Sequence, residues 1–197
     1  MITFIQGQIV QLSPTQLVLE AAGIGYMIHI SLHTYSAIEG KSGQLKILTY
    51  LQIKEDAHTL YGFASEEERQ IFLHLISVNG VGTGIARIIL SSMAPEEIRK
   101  AIIHEQEAAF GRVKGIGPKT AKRIIIDLKD KIMKSDPGSG TESTAAVTGV
   151  REEAAAALLS LGFSRIAVDK TLQQIARSSS AEQVEDWIKQ ALKLLSS

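Results

Sequence analysis

Asn79-Gly80-Val81-Gly82 and Lys114-Gly115-Ile116-Gly117, 35 residues apart, decide how this chain is read. Each lies between stretches of helical patterning, so the pair has the sequence form of two helix-hairpin-helix units. Glycines on both sides of one apolar residue let the backbone turn tightly and come close to a bulky anion. The first amides of the following helix have no intrahelical acceptor and point outward to hold it. Val81 and Ile116 are expected to turn inward and pin the hairpins. One such turn is an ordinary corner between helices, but two in alike surroundings favour phosphate.

The flanking residues make the two sites unequal. After Asn79, Gly80, Val81 and Gly82 come Thr83 and Gly84, and the nearest cation on that helix is Arg87. The second hairpin, Lys114, Gly115, Ile116 and Gly117, is followed by Lys119, Thr120, Lys122 and Arg123, with Lys119 best placed beside a phosphate. These fifteen residues are the candidate backbone contacts, and the second site is expected to be the stronger. Amides and lysines on phosphates read no bases, so binding should follow shape and salt rather than sequence.

The chain carries 21 basic and 21 acidic residues, a net charge of zero that looks wrong for a nucleic-acid binder. Its distribution resolves this: residues 1–63 hold 3 basic and 4 acidic groups, whereas 64–134 hold 12 and 9, a net +3 where the hairpins lie. No cysteine is present, which removes disulfides, iron–sulfur clusters and thiolate zinc sites and fits a reducing compartment. No basic leader and no bilayer-length apolar run are visible, so a cytoplasmic protein with no membrane association is expected. His29, His33, His58, His74 and His104 show no metal-ligand spacing, and no metal or cofactor is expected. Gly115-Ile116-Gly117-Pro118-Lys119-Thr120 falls short of a P-loop, because proline separates the glycine from the lysine, and Gly80-Val81-Gly82-Thr83-Gly84-Ile85 misses the dinucleotide fingerprint.

Outward from the hairpins, the patterning predicts an α+β, multidomain chain. Residues 1–63 alternate and are rich in β-formers over 2–10, 16–20, 26–30, 45–53 and 59–63, which suits a small OB-like barrel punctuated by glycines. Helical patterning begins at Ser65, read as an N-cap with Glu68 completing a capping box, and 64–134 form the tandem helix-hairpin-helix domain. Ala94-Pro95-Glu96-Glu97 and Gly117-Pro118 start further helices. Residues 135–149 are small and polar and read as a flexible linker. Residues 150–197 read as a three-helix bundle: 151–161 closed by Gly162, 165–176 behind Ser164, and 181–195 behind Ser180 with Gln183 completing a box. Val184, Trp187, Ile188, Ala191, Leu192 and Leu195 recur at helical spacing in the last helix, as a core stripe does.

Lys54-Glu55-Asp56-Ala57 sets two adjacent carboxylates at the tip between two β-stretches. Such a tip is usually a solvated turn. On a chain that otherwise recruits phosphates, it would repel DNA and dictate where the duplex cannot lie.

Glu55-Asp56-Ala57 with Leu60-Tyr61-Gly62-Phe63, the run from Leu75 to Gly82, and Gly115-Ile116-Gly117-Pro118-Lys119-Thr120-Ala121 together resemble the RuvA family of Holliday-junction-binding subunits over essentially the whole length. The resemblance implies a homotetramer, or two tetramers enclosing DNA as an octamer, that holds a four-way junction open and square. It further implies that Glu55 and Asp56 form a central acidic pin that repels phosphates at the crossover. Residues 150–197 would dock the RuvB ATPase, which supplies energy in trans, and the RuvC resolvase is a further partner the family suggests. Recombination, DNA repair and the SOS response to DNA damage are the implied setting. Gly84 departs from the family pattern, which usually carries lysine there. Leu161-Gly162-Phe163 resembles the turn of ubiquitin-associated (UBA-like) bundles, a likeness of packing that gives no reason to expect ubiquitin.

The rival reading is a helix-hairpin-helix DNA glycosylase or lyase that uses Lys119 as an attacking amine. Such enzymes need an aspartate beside a base pocket, and Asp136, in the linker stretch, is the only candidate at a suitable distance. A generic single-strand-binding barrel is a third reading, weakened by the few aromatics and cations in 1–63.

Overall fold

The computed structural model describes residues 1–134, 145–178 and 183–195. The chain divides into two compact units, Met1–Asp136 and Pro137–Ser197.

The first unit opens with five strands, β1 (Phe4–Ser13), β2 (Gln16–Ala21), β3 (Ile24–Ile30), β4 (Gln44–Ile53) and β5 (His58–Phe63). They close into a barrel in the order β1-β2-β3-β5-β4, with β1 pairing β4 and β3 running parallel to β5. The alternation explains the inside: Ile5, Leu17, Leu19, Ile28, Ile30 and Ile47 are buried together. A register shift between Ile9 and Gln11 bends β1 as it passes from one neighbour to the other. Gly7 permits a close strand crossing, since a Cβ there would lie 2.2 Å from the Glu20 carbonyl oxygen.

The pattern in 1–63 did not disclose α1 (Leu32–Ile38), inserted between β3 and β4. At seven residues it is too short for helical periodicity to rise above the surrounding alternation. Ser31 caps it, its Oγ accepting from the Thr34 amide at 3.0 Å, and Thr34 and Ile38 are buried.

Five helices follow: α2 (Glu66–Ile76), α3 (Thr83–Ser92), α4 (Pro95–Ile103), α5 (Glu107–Gly111) and α6 (Pro118–Lys134). Ser65 caps α2, as expected, accepting from the Glu68 amide at 3.2 Å. Glu68 does not complete the expected box. Its carboxylate is fully buried and accepts from the Ala64 amide at 3.2 Å, from Thr34 Oγ1 at 2.5 Å and from Ser31 Oγ, so it clasps α1 to the start of α2. In α4, Pro95 is the first residue and Glu97 accepts from the Ala94 amide at 2.9 Å.

Barrel and helices are not separable at residue 63. Phe72 of α2 packs its ring against Tyr50, Tyr61 and Phe63 of the barrel, with centroids 5.6, 5.3 and 4.9 Å apart. Tyr61 and Phe63 belong to the same buried cluster as Ile71, Leu75, Ile89, Ile98, Phe110 and Ile124. The functional division at 63/64 therefore lies inside one continuous core.

The second unit comprises α7 (Ala145–Ser160), α8 (Arg165–Ser178) and α9 (Val184–Leu195) around Ala154, Leu158, Val168, Leu172, Ile175, Trp187 and Ala191. The α9 stripe packs as expected, with Val184, Ile188, Leu192 and Leu195 against that cluster. Helix α7 begins at Ala145, within the stretch read as linker, and residues 135–144 lie outside the described residues. Ser180 and its cap lie outside them too. Gly162 closes the turn after α7 at φ +94°, where the Phe163 amide donates to the Leu158 carbonyl at 3.3 Å.

Candidate nucleic-acid interface

The two hairpins are the same structure made twice. Gly80 and Gly115 sit at φ +93° and +91°, in the left-handed region that favours glycine. In each, the apolar residue's amide closes the turn: Val81 N–H to the Val78 carbonyl at 3.0 Å, and Ile116 N–H to the Val113 carbonyl at 3.1 Å. The 35-residue offset then runs through the packing, pairing Leu75 with Phe110, Val78 with Val113, Val81 with Ile116, Ala86 with Ala121 and Ile89 with Ile124, all buried.

The helices that leave the hairpins present their first amides outward. The Gly82 and Gly117 carbonyls accept from Ala86 and Ala121 at 2.9 and 3.0 Å, which starts α3 and α6. Gly82 brings no side chain to cap α3, so its first-turn donors have no side-chain acceptor. In α6 proline occupies the first position and has no amide to give. Arg123 on α6 reaches back to the first hairpin, its Nη1 donating to the Asn79 carbonyl at 3.3 Å, and Lys131 Nζ donates to Ser77 Oγ at 3.2 Å. The second hairpin's helix thus holds the backbone of the first.

The charge asymmetry read from the sequence is a position-by-position fact of this repeat. Lys114, Lys119, Lys122 and Arg123 are all exposed around the second hairpin. At the matching positions the first copy has Gly84 for Lys119, Arg87 for Lys122 and Ile88 for Arg123. Arg87 is engaged elsewhere: its Nη1 donates to His29 Nδ1 at 3.2 Å and to the Thr15 carbonyl at 3.4 Å, both on the barrel. His29 must accept at Nδ1, because a guanidinium only donates. Burial, and then the Arg87 charge, hold that ring below the ordinary histidine range.

Thr83 also faces the barrel. It is buried, its Oγ1 accepting from Tyr61 Oη at 3.0 Å and donating to Gln52 Oε1 at 3.1 Å. The Thr83 hydroxyl is thus engaged with the barrel. The Val81 and Ile116 side chains are buried and pin the two turns. Gln52, Tyr61 and His29 give no sign of these roles in the sequence, since separations of 22 to 58 residues leave no local signal that could find them.

Glu55 and Asp56 are exposed at the tip of the β4–β5 connection, closed by the Lys54 amide donating to the Ala57 carbonyl at 2.9 Å. Thr120 is half-buried beside the second hairpin. Two clefts open on the helices, of about 610 Å³ near Glu97, Lys100, His104 and Arg112 and about 190 Å³ near Glu105, Lys122 and Lys129, and Lys119 lines neither. Among the described residues no helix is long and apolar enough to cross a membrane.

Paired backbone donors with cations beside one of them, carried on a barrel that shares their core, put the chain among the tandem helix-hairpin-helix DNA-binding proteins. Residues 72–130 match the family model described as SAM-like Helix-hairpin-helix tandem, residues 1–62 that of the RuvA N terminal domain, and residues 149–196 that of the RuvA C-terminal domain. The chain is 49% identical over 197 residues to a protein of Parabacteroides distasonis, covering 99% of this chain and 100% of that one. It is 47% identical to a protein of Christiangramia forsetii over 195 residues, again 99% and 100% of the two chains. Each relative is named Holliday junction branch migration complex subunit RuvA. The chain belongs to the RuvA family, and the glycosylase reading gives way to that membership.

Proposed function

We propose that this chain binds four-way DNA junctions without regard to sequence and serves as a subunit of a branch migration complex in recombination and repair. The observation that carries the reading is the duplicated hairpin, its copies tied together by Arg123 on the Asn79 carbonyl, on a unit that also projects Glu55 and Asp56. The relatives' shared name supports it.

Each hairpin grips a duplex backbone through its amides. Lys114, Lys119, Lys122 and Arg123 supply the charge that makes the grip salt-dependent. Asn79, Gly80, Gly82, Thr83 and Gly84 supply a closer, less charged contact. Four chains around a symmetry axis bring four copies of the Glu55-Asp56 turn to the crossover, where phosphates are repelled and exchanging strands are kept apart. A second tetramer can close over the other face. The chain itself is a scaffold; the RuvB ATPase docks on residues 150–197 and supplies the energy in the cytoplasm, and the RuvC resolvase acts on the junction so held.

Competitive gel shift tests this. The full chain should bind a four-way junction at least tenfold more tightly than linear duplex of the same sequence, a discrimination of about 1.4 kcal/mol. Glu55→Lys with Asp56→Lys should keep or raise affinity while lowering that ratio. Equal affinity for the two DNAs would overturn the reading.

A further inference from the structure

From the Thr83 hydroxyl and its two barrel partners, we infer that this chain registers its first hairpin to the acidic turn through a three-residue positioning node, Tyr61–Thr83–Gln52. The inference rests on the junction-binding reading above and adds a division of labour within it: the first hairpin sets the angle at which DNA meets the barrel, and the second sets how tightly DNA is held.

Thr83 is the first residue of α3, directly after the Gly82 cap, so its position fixes where the outward amides of that helix point. Its hydroxyl is saturated by one donor and one acceptor from neighbouring strands, Tyr61 Oη of β5 at 3.0 Å and Gln52 Oε1 of β4 at 3.1 Å. These are the two strands joined by the acidic turn. Gln52 stands three residues before Glu55 and Tyr61 five after Asp56, which along a strand is on the order of 10 to 17 Å. Tyr61 is immobilised in turn by the Phe72 ring at 5.3 Å and pairs across the sheet with Tyr50. The hydroxyl thus sits at a rigid junction between the element that repels phosphate and the element that receives it.

The second hairpin has no counterpart. Pro118 stands where Thr83 stands in the first copy and has no hydroxyl, while Lys119 stands where the first copy has Gly84. One copy carries a link to the barrel and little charge; the other carries charge, and its helix bonds to the first hairpin rather than to a strand. A four-way junction has to satisfy both hairpins and the acidic turn at once, whereas a linear duplex needs only the hairpins. A loosened link between hairpin and turn therefore costs junction binding selectively.

The test uses the full chain with Thr83→Val, Tyr61→Phe and Thr83→Ser, and reads three quantities: junction affinity, duplex affinity with its salt slope, and arm separation by energy transfer between labelled junction arms. Tyr61→Phe should lower the junction-to-duplex ratio about fivefold, the scale of one hydrogen bond, and Thr83→Val, which removes both bonds of the node, at least as much. Duplex affinity and salt slope should stay unchanged in Tyr61→Phe, whose side chain lies outside the DNA contacts, and the arm-separation distribution should broaden. Thr83→Ser, which keeps the hydroxyl, should behave as wild type, and the Thr83→Val/Tyr61→Phe double variant should be no worse than Thr83→Val alone, which already cuts the bond that Tyr61→Phe removes. Junction and duplex affinities falling in parallel in Tyr61→Phe, or an unchanged ratio in variants that melt as wild type does, would overturn the node. A wild-type chain with no junction preference would instead sink the underlying reading, so the two failures are distinguishable.

Discussion

Arg87 and Lys119 are both cations on helices that leave a hairpin, and they stand in different surroundings. Arg87 bonds to His29 and the Thr15 carbonyl of the barrel; Lys119 is exposed in the first turn of α6. Lys119→Ala should therefore weaken DNA binding and reduce the slope of log affinity against log salt by about 0.9 for each phosphate that is no longer neutralised. Arg87→Ala should leave that slope alone and lower the melting temperature by about 3 °C, the size expected for one hydrogen-bonded pair in a unit of this length. Calorimetry and a salt titration on both variants check the contrast. The exposed place of Lys119 beside the hairpin was legible because its setting is local, a lysine two positions past a Gly-x-Gly turn. Arg87's partner lies 58 residues away, and no pattern along the chain announces it.

Among the elements, β3 and α2 each hold a half-buried histidine near cations. Burial comes first in lowering both His29 and His74 below the usual histidine range; Arg87 adds to it for His29, and Lys131 and Arg99 for His74. Both rings stay neutral in the folded chain at pH values where the unfolded chain, titrating near 6.5, takes up protons. Stability is therefore intact above about pH 6.5 and declines as pH falls below it. The melting temperature should drop as pH falls from about 6.5 to about 5, and His29→Gln with His74→Gln should narrow the drop; an undiminished drop in that variant would refute the assignment. Long strands and helices with strong caps could be read along the chain, whereas α1 and α5 could not. They are seven and five residues long, and α1 owes its place to Ser31 and Thr34 meeting the buried Glu68 carboxylate 37 and 34 residues away.

On the scale of the whole chain, the aromatic cluster around Phe72 makes barrel and tandem hairpins one folding unit, while α7, α8 and α9 keep a core of their own. Composition could mark the change from alternating to helical patterning near residue 64, but not that Tyr61 and Phe63 face across that boundary. A chain ending at Asp136 should retain junction affinity within about twofold of the full chain, as independent units do, and lose ATP-driven migration when the motor is supplied. Filter binding and a migration assay on the same preparation check both halves; weakened junction binding by the shortened chain would overturn the division.

The pairing of β1 with β4 completes the circle of strands. A sheet with an unpaired margin invites a neighbour to add a strand, and such additions can slip by two residues or continue without limit into fibres. This barrel has no margin to lend. Strand addition is thereby closed to a neighbouring copy, and whatever the barrel touches it touches through side chains on its outer faces.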